Sequence, residues 1–572
     1  MGPEHVVALI SAGKRDEAIA LARRWTEAEP QSADSWRHLG VALAHANDLE
    51  GAEAAIDRGL QISPDDPLVL AEKAFVCYHG GRPNEAARYY AMARERGDHP
   101  VYGNGLGSTL MQMGRMIEAR QVLEETLAAH PTFIPAHFNL VQARLQSGDQ
   151  AGARAIADQM IATAPREYLV RDAAVWPLLY DDQTHPDELA ELHQSMGQLL
   201  PKQRDPRSFP NNRNPDRRLR VGFVSPDFRE HSVYRFVWPV LEALADYDVD
   251  LYAYASSANE DFGTRHIASL VKKYTEVTSL SVDEFARQVS GDKIDVLFDL
   301  AGHTLLNRLV DMAHRLAPVQ INWIGYPYST GVPAMDYRIV DSFTDPDGSW
   351  MSEAKVWLQP CFLCFGLPRD LPPVADATDG PTFGSFNVLA KMSPTTVELY
   401  SRCLAAVPGS KLILKAQALD EPASRKHLLA QFAAQGVTAD RIELYGRLES
   451  YQAHLELYNR VTVALDPFPY HGTTTTCEAY SMGVPVVSLV GETHQARVGL
   501  SLAHAIGRPE WACFDPDSYV NQAVKLASLN STGDREVLRA RLSESALTDA
   551  DSMAERLMEA VRAAWQRWCA LR

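Results

Sequence analysis

The chain has 572 residues, and its 73 Asp and Glu outnumber its 55 Lys and Arg, which gives a formal net charge of −18. An acidic surplus of this size excludes a general affinity for nucleic acid or anionic membranes, so neither is expected as a partner. Hydrophobic residues make up 46% of the chain and charged residues 22%. This composition is typical of a globular protein, and the length predicts several domains with separate cores.

The seven cysteines are odd in number and scattered, which favours reduced thiols over a disulfide framework. Cys361 and Cys364 form a single CxxC in the apolar segment LQPCFLCFG. Because no second CxxC or nearby His pair completes a tetrahedral zinc site, we expect buried thiols and no metal. The first residues, MGPEHVVALISAGK, carry neither a basic region nor a long apolar core. A cytoplasmic protein is therefore expected.

The N-terminal third of the chain repeats itself. Segments similar to GKRDEA (13–18) recur as NDLEGA (47–52), GRPNEA (81–86), GRMIEA (114–119) and GDQAGA (148–153). Their closing alanines are spaced by 34, 34, 33 and 34 residues. Prolines keep the same frame, at Pro30, Pro64, Pro131 and Pro165. A period of about 34 residues with fixed small residues and a closing proline is the tetratricopeptide pattern.

Each repeat is expected to fold as two antiparallel helices. The turn between them favours a residue that tolerates the left-handed backbone region. The residues at that place are Gly13, Asn47, Gly81, Gly114 and Gly148. The small alanine lets the helices approach, and proline ends the second helix because it cannot continue the hydrogen-bond ladder. Residues 1–200 are therefore predicted to form a repeat arm whose concave surface holds acceptor proteins or peptides.

After the arm the sequence changes to an alternating pattern of strands and helices. Residues 201–218, rich in Pro, Asn and Arg, form a predicted linker. The predicted strands then lie in LRVGFVSPDF, VDLYAYASS, KIDVLFDLAGH, VQINWIGYP and MDYRIVDS, and later in TFGSFNVLA, SKLILKA, RIELYG, VTVALDP, VPVVSLV and WACFDP. This pattern predicts two Rossmann-like lobes, 219–375 and 376–572, with a ligand cleft between them. The last helical stretch is expected to brace the first lobe.

The densest group of polar residues and glycines lies at 466–499, after the strand that ends at Leu465. Gly472 permits close approach of the backbone to a ligand. A helix N-terminus is predicted beside a run of hydroxyls, where exposed N–H groups and the helix dipole favour a phosphate. This run contains Thr473, Thr474 and Thr475. Glu478, one turn into the helix, is placed to accept hydrogen bonds from a ribose. Threonine is also an ordinary helix cap, but four in succession exceed what a cap needs.

Five segments carry a wider resemblance. They are RVGFVSPDFREHSVYRF (220–236), DVLFDLAGHT (295–304), APVQINWIGYPYSTGVPAMDYRIVD (317–341), FGSFNVLAKMSP (383–394) and HGTTTTCEAYSMGVPVV (471–487). They resemble the O-linked N-acetylglucosamine transferases and their plant SPINDLY-type relatives, and with the arm the resemblance covers nearly the whole chain. It implies an α-helical tetratricopeptide superhelix followed by an α/β GT-B core that uses a nucleotide sugar and requires no metal or other cofactor.

The resemblance also implies two catalytic residues. His231, in DFREHSV, matches the family's active-site histidine. A histidine in a strand-end loop at the cleft can accept a proton near neutral pH, or it can simply orient the substrate. Lys391, in FNVLAKMSP, matches the lysine that contacts the diphosphate, where an ammonium stabilises the charge of the leaving group. Asn387 and Val388 precede it as nucleotide-sugar-binding positions, and the O-GlcNAc enzymes carry a glutamine at the position of Val388.

Further positions are implied around the base, the ribose and the sugar. His454, in SYQAHLELYN, falls where the family's imidazole stacks on the base, and Leu448 and Glu449 would offer backbone contacts to the base edge. Glu478 stands where the O-GlcNAc enzymes have a ribose-binding aspartate. The residues implied on the sugar or acceptor side are His303, Thr304, Tyr326 and Pro327.

The implied reaction is an inverting, metal-independent transfer of N-acetylglucosamine from UDP-GlcNAc to Ser or Thr of a protein. Two alternatives stay open. The segments HSVYRF, GSFNVLAK and GTTTTCE are closer to the SPINDLY type, which is associated with GDP-fucose. The first alternative is therefore a protein O-fucosyltransferase. The second is a repeat scaffold with an inactive nucleotide-sugar sensor core, against which the presence of His231, Lys391 and Glu478 weighs.

Overall fold

The structure is a computed structural model that describes residues 3–346, 350–376, 380–528 and 531–571. One compact unit comprises the described residues up to Thr163 together with Asp420–Arg425. The other comprises Ala164–Leu419 and the described residues from Lys426 onward. Within the described ranges, no helix combines the length and the apolar character that crossing a bilayer requires.

The first unit is built from consecutive helix pairs. The helices are α1 (Pro3–Ser11), α2 (Arg15–Ala28), α3 (Ala33–His45), α4 (Leu49–Ile62), α5 (Pro67–His79), α6 (Pro83–Arg96), α7 (Pro100–Gln112), α8 (Met116–Ala129), α9 (Ile134–Gln146) and α10 (Gln150–Thr163). The five predicted turn residues all have positive φ, between 64° and 81°. They separate the two helices of each pair, as the sequence predicts.

The small residues and prolines of the repeat act as expected. The five repeat alanines are each 0% exposed, at Ala18, Ala52, Ala86, Ala119 and Ala153. Since alanine ends at Cβ, it allows two helix backbones to approach closely at these points. Each of the four repeat prolines follows the second helix of its pair by two residues. The predicted tetratricopeptide architecture is confirmed.

The second unit opens with α11 (Tyr168–Tyr180) and α12 (Pro186–Gly197) and continues into a seven-stranded sheet. Its elements are β1 (Leu219–Ser225), α13 (Ser232–Ala243), β2 (Val249–Ala255), α14 (Phe262–Leu270), β3 (Lys273–Glu276), α15 (Val282–Gly291), β4 (Val296–Asp299), α16 (Leu309–Ala313), β5 (Val319–Asn322), β6 (Tyr337–Val340) and β7 (Ala354–Trp357). The strands are parallel, in the order β3-β2-β1-β4-β5-β6-β7.

A second parallel sheet forms the other lobe of the same unit, and of its elements only the first turn of α18 is grouped with the first unit. Its elements are β8 (Thr382–Ser385), α17 (Pro394–Ala406), β9 (Lys411–Lys415), α18 (Pro422–Ala434), β10 (Ile442–Tyr445), α19 (Tyr451–Leu457), β11 (Val463–Leu465), α20 (Thr474–Ser481), β12 (Val486–Leu489), α21 (Val498–Ala505), β13 (Ala512–Cys513), α22 (Pro516–Ala527), α23 (Thr532–Ser543) and α24 (Ala550–Cys569). The strand order is β10-β9-β8-β11-β12-β13. The final helix, α24, packs against α13 of the first lobe.

The strand order positions the site. In the first sheet the order reverses between β1 and β4, and in the second it reverses between β8 and β11. Loops that leave the carboxyl ends of strands at such a reversal diverge to opposite faces of the sheet and leave a crevice that binds ligands. His231 follows β1, Lys391 follows β8 and Gly472 follows β11. Both reversals therefore carry residues that the sequence analysis selected.

Candidate active site

A cavity of about 290 Å³ lies between the two lobes of the second unit. Its walls include the loop after β1 and the loop after β5 from one lobe, and the loops after β8, β11 and β12 from the other. The predicted site residues that line it are His231, Pro327, Asn387, Val388, Lys391, Thr473, Thr474 and Thr475. The structure thus brings residues from both strand-order reversals together in one cavity.

Lys391 ends a helical turn between β8 and α17. Its Nζ donates to the carbonyl oxygen of His471 over 2.7 Å and to Oδ1 of Asn387 over 3.5 Å. It also lies 4.4 Å from the ring centroid of Tyr470, a cation–π contact. Burial lowers the pKa of Lys391 to about 8, although the nearby Asp466 carboxylate acts in the opposite direction. Since both hydrogen bonds are to neutral oxygens, the ammonium keeps its attraction for an anionic ligand.

The threonine run begins α20, and a buried carboxylate holds the loop before it. Asp466, directly after β11, accepts hydrogen bonds from Gly472 N–H and Ser488 Oγ, both over 2.6 Å. Thr475 Oγ1 donates to Oδ1 of Asn387 over 3.2 Å, which joins this loop to the one carrying Lys391. The amides of the first helical turn have no intrahelical acceptor and lie at the positive end of the helix dipole. Together with Lys391 they form a binding site suited to a diphosphate.

His231 caps the start of α13 on the other lobe. The Val233 N–H donates to its Nδ1 over 3.3 Å, and the same nitrogen lies 3.4 Å from Oδ1 of Asp227. Burial lowers the pKa of His231 while Asp227 opposes that effect, so the ring is neutral at neutral pH. These two contacts require different tautomers, because an Nδ1 lone pair accepts from Val233 whereas an Nδ1–H faces the Asp227 carboxylate. Only in the second tautomer, which gives up the Val233 hydrogen bond, does Nε2 carry the lone pair. That arrangement allows the ring to take a proton from a bound hydroxyl.

Glu478, in α20, is already hydrogen-bonded within the protein. Its Oε1 accepts from the Tyr451 hydroxyl and its Oε2 lies within hydrogen-bond distance of His454 Nε2, each over 3.0 Å. His454 is 8% exposed, and its ring packs against that of Phe386, a residue of the cavity lining, with centroids 5.6 Å apart. Neither Glu478 nor His454 is part of the cavity lining, and His454 reaches it through its contact with Phe386. A carboxylate has lone pairs left for a ribose hydroxyl after accepting two hydrogen bonds.

Leu448 and Glu449 lie in the loop between β10 and α19. Leu448 is half-buried and Glu449 is exposed, and neither belongs to the cavity lining. Their predicted contacts with a base edge stay a prediction.

The residues predicted on the sugar or acceptor side separate into two groups. Pro327 lines the cavity, whereas Tyr326 and His303 are 1% and 2% exposed and lie behind its wall. His303 is held by an ion pair with Asp172 of α11 and by a 2.9 Å hydrogen bond between Nε2 and the Thr330 carbonyl oxygen. These contacts turn its ring away from the cavity.

The other two predicted residues of this group make internal contacts as well. The Tyr326 hydroxyl lies 2.8 Å from Nε2 of His193 in α12. Thr304 Oγ1 donates to the Ala301 carbonyl oxygen over 3.1 Å. Helices α11 and α12 thus contact the loops after β4 and β5 through Asp172 and His193. His303, Tyr326 and Thr304 are not part of the cavity lining.

The cavity also includes residues that the sequence analysis did not select. Phe362, Phe386, Tyr470 and His494 all line it. Tyr470 directly precedes the HGTTTT run, and His494 follows β12 at the same edge of the sheet. The rule that ligands bind at the carboxyl ends of parallel strands could have identified both.

Cys361 and Cys364, the two cysteines of the CxxC segment, are buried. All seven cysteines are free thiols. Burial raises the pKa of both Cys361 and Cys364 to about 12, which is typical of inert core thiols. Among the residues that the structure describes, no group of three His, Cys, Asp or Glu side chains is arranged to hold a metal ion.

Comparison with known proteins finds curated relatives of this chain among plant proteins. The "Probable UDP-N-acetylglucosamine--peptide N-acetylglucosaminyltransferase SPINDLY" of Petunia hybrida is 35% identical over 404 residues, which cover 68% of this chain and 43% of that protein. The similarly described SEC protein of Arabidopsis thaliana is 30% identical over 328 residues, 54% of this chain and 33% of that one. The chain therefore spans less than half the length of these curated relatives.

A solved structure is similar to this chain over nearly its whole length. The structure of a mutant O-GlcNAc transferase from Thermobaculum terrenum superposes with a TM-score of 0.75 at 29% identity, covering 94% of this chain and 98% of that one. This similarity confirms the predicted repeat arm followed by a two-lobed core. Tetratricopeptide repeats match residues 4–67 and 110–176, and glycosyl transferase family 41 matches residues 186–363 and 376–556, more than half of the chain. The chain belongs to glycosyl transferase family 41.

Proposed function

We propose that this protein transfers N-acetylglucosamine from UDP-GlcNAc to Ser or Thr hydroxyls of other proteins. The observation that carries the proposal is a single cavity lined by both His231 and Lys391, together with the first residues of α20. The lysine and the helix N-terminus suit a diphosphate, and the histidine suits the proton of an attacking hydroxyl. The printed names of the curated relatives support this donor and this class of acceptor.

In the proposed reaction the acceptor oxygen bonds to the anomeric carbon while the bond from that carbon to the diphosphate breaks. Attack from the face opposite the leaving group inverts the anomeric carbon. The hydroxyl proton passes to Nε2 of His231. The electron pair of the broken bond leaves with UDP, and Lys391 and the first-turn amides of α20 stabilise its charge.

We also propose that the reaction needs no metal, because Lys391 and the α20 amides supply the positive charge that a divalent cation supplies in other transferases. We expect EDTA to change the initial rate by less than about twofold, and added Mg²⁺ or Mn²⁺ to give no larger change. The measurement is the rate of UDP release before and after chelation. A rate that collapses in EDTA and returns with Mn²⁺ would contradict this part of the proposal.

Glu478 offers a direct test of nucleotide binding. Glu478→Ala removes a carboxylate proposed to accept from the ribose, and it leaves the Tyr451 hydroxyl and the His454 N–H without their acceptor. Hydrogen bonds to charged groups contribute about 1.5–3 kcal/mol, so the Kd for UDP should rise by about 10- to 150-fold in calorimetry. Glu443→Ala is the matched control, since Glu443 pairs with Lys411 and Arg460 outside the cavity. Equal affinities of the two variants would argue against a nucleotide role for Glu478.

The proposed acceptors are proteins or peptides held along the repeat arm, because stacked helix pairs provide extended binding surfaces. Free thiols at all seven cysteines are typical of a reducing compartment, and we place the proposed activity in the cytoplasm.

Thermal unfolding with four ligands tests the donor. A ligand that binds only the folded state at about 100 times its Kd stabilises that state by about 2.7 kcal/mol. We expect UDP and UDP-GlcNAc to raise the Tm, and GDP and GDP-fucose to leave it unchanged. Stabilisation by the two GDP ligands alone would replace the proposed donor with GDP-fucose. Stabilisation by none of the four would favour a scaffold without a functional nucleotide site.

A further inference from the structure

His494 lies in a short helical turn after β12, and its ring lines the cavity. The residue is 3% exposed. Its Nδ1 is fully enclosed and has no hydrogen-bond partner within the described part of the chain. Buried polar atoms are nearly always hydrogen-bonded in native proteins, because an unpartnered one destabilises the fold. The fold makes no hydrogen bond to Nδ1, so a structural pairing of that atom does not account for a histidine at the wall of the cavity.

A second buried histidine nearby shows how a structural histidine is satisfied. His471 is 1% exposed, and it does not line the cavity. Its Nε2 lies 2.8 Å from the Leu489 carbonyl oxygen, and the Gly499 N–H donates to its Nδ1 over 3.0 Å. Both ring nitrogens of His471 are thus used by the fold, whereas the fold leaves the ring of His494 available.

The backbone and a neighbouring ring hold His494 in place. The Gly491 N–H donates to the Ala496 carbonyl oxygen over 2.9 Å, which closes the turn around it. The ring meets Phe362 edge to face, with centroids 5.1 Å apart and planes at 76°. Phe362 is fixed in turn, because its N–H donates to Asp341 Oδ2 and its carbonyl oxygen accepts from Trp323 Nε1, both over 3.0 Å. The orientation of the imidazole is therefore set before a ligand binds.

The environment also sets the charge of the ring. Burial lowers the pKa of His494 well below its ordinary value, and the positive charges of Arg338, Lys355 and Arg497 act in the same direction. A neutral imidazole has one N–H donor and one lone pair. Since Nδ1 is enclosed, Nε2 is the nitrogen through which the ring can reach a ligand, and a proton on Nε2 makes it a hydrogen-bond donor.

The rest of the lining suggests what this donor meets. Lys391 and the start of α20 are assigned to the diphosphate, and Phe386 packs against His454, which with Glu478 is proposed to act at the ribose and base. His494 contacts the apolar ring of Phe362, and Ile324 is another apolar residue of the lining. We infer that His494 is a specificity-determining residue that donates a hydrogen bond from Nε2 to an oxygen substituent of the transferred sugar. This inference rests on the proposed function, because it requires a nucleotide sugar in the cavity.

The test compares a sugar nucleotide with the bare nucleotide in the same variant. We expect His494→Leu and His494→Asn to raise the ratio of the Kd for UDP-GlcNAc to the Kd for UDP by about fivefold to tenfold, the loss of one hydrogen bond. The Kd for UDP itself should stay unchanged. His494→Gln should keep most of the wild-type ratio, because its amide nitrogen reaches the place of Nε2. UDP-glucose lacks the N-acetyl group and UDP-GalNAc carries its 4-hydroxyl on the other side of the ring, so they test the acetyl oxygen and O4 as the contacted group. The analogue in which the contacted group is missing or displaced should be insensitive to His494→Leu.

His504→Leu is the matched control, because His504 lies in the same lobe as His494, stacks on Phe343 of the other lobe, and lies outside the cavity lining. Its ratio should equal that of the wild type. An unchanged ratio in both His494→Leu and His494→Asn, in proteins that still bind UDP, would overturn the inference and leave the proposed function intact. If the wild-type protein binds GDP ligands instead, the proposed donor fails, and the same ratio measured with GDP-fucose and GDP tests His494 independently.

Free-protein stability provides a second readout. Replacing an unpartnered buried imidazole by leucine should leave the Tm of the ligand-free protein unchanged or raise it, although sugar binding weakens. A purely structural histidine would give the opposite pattern, with a lower Tm and an unchanged ratio of dissociation constants.

Discussion

Replacing Lys391 with methionine should lower kcat by about 10²–10³-fold, the effect typical of removing one charge-stabilising donor from a transition state. The ammonium has neutral hydrogen-bond partners in the His471 carbonyl and the Asn387 amide, so its charge is available to the diphosphate. Methionine has a similar length and keeps the packing against Tyr470. The variant should therefore fold normally, and its thermal unfolding should occur at or above the wild-type temperature because a buried cation has been removed.

Lys411→Met is the matched control for this experiment. Lys411 is half-exposed in β9 and pairs with Glu443 over 3.2 Å. The Lys411→Met variant makes the same chemical change as Lys391→Met, in the same lobe but outside the cavity. The comparison uses initial rates of UDP release at saturating donor and acceptor. If Lys391→Met retains the turnover of Lys411→Met, the role assigned to Lys391 is wrong.

Raising the pH from about 7 to about 9.5 should weaken UDP binding by about 30-fold, because the protonated lysine is the form that attracts the diphosphate. The pKa of Lys391 is lowered to about 8 by burial, so the empty site loses its proton as the pH rises through that value. A bound diphosphate raises the pKa again, since a nearby negative charge favours the ammonium. Binding therefore takes up a proton above pH 8 and weakens there, and it varies little below pH 7.

Calorimetry in buffers of different ionisation enthalpy measures this proton directly. At about pH 8.5 the wild-type protein should take up roughly 0.8 proton for each UDP bound. Lys391→Met should bind more weakly, with little pH dependence over the same range. A wild-type affinity that is constant between about pH 7 and 9.5 would show that Lys391 is not the group that titrates at the nucleotide.

The repeat arm could be predicted closely because each of its devices is local. The positive φ of Asn47 and of the repeat glycines follows from the turn, and the complete burial of Ala52 follows from the contact of two adjacent helices. Both features recur at a fixed spacing, so the sequence displays the same requirement five times. Local requirements repeated in register are the clearest signal that a single sequence offers.

Most strands were predicted as well, and two were not. β3 (Lys273–Glu276) and β7 (Ala354–Trp357) are the edges of the seven-stranded sheet, and their residues are exposed or half-buried. Central parallel strands are covered on both faces and appear as apolar runs, but an edge strand can be short and polar. KYTE and AKVW therefore carry no strand signal of their own. Their conformation follows from pairing with β2 and β6.

The site shows the same division between local and tertiary information. Lys391 and the threonine run were found because a strand end and a helix start fix their positions, and both line the cavity. His303 also follows a strand end, but its ring binds Asp172 of α11. No local pattern in the sequence reveals a partner more than a hundred residues away. His494 was in a noted motif without a role. Its distinguishing feature, a buried nitrogen with no partner among the described residues, exists only in three dimensions.

Intact-mass measurement of acceptor proteins tests the central claim most directly. The purified protein is incubated with UDP-GlcNAc and a protein extract cleared of small molecules, in parallel with GDP-fucose and with the Lys391→Met variant. We predict that acceptor proteins gain the mass of one N-acetylhexosamine, that the added group maps to Ser or Thr, and that the variant gives none. Acceptors that gain a deoxyhexose from GDP-fucose, or no mass from either donor, would contradict the proposed N-acetylglucosamine transfer.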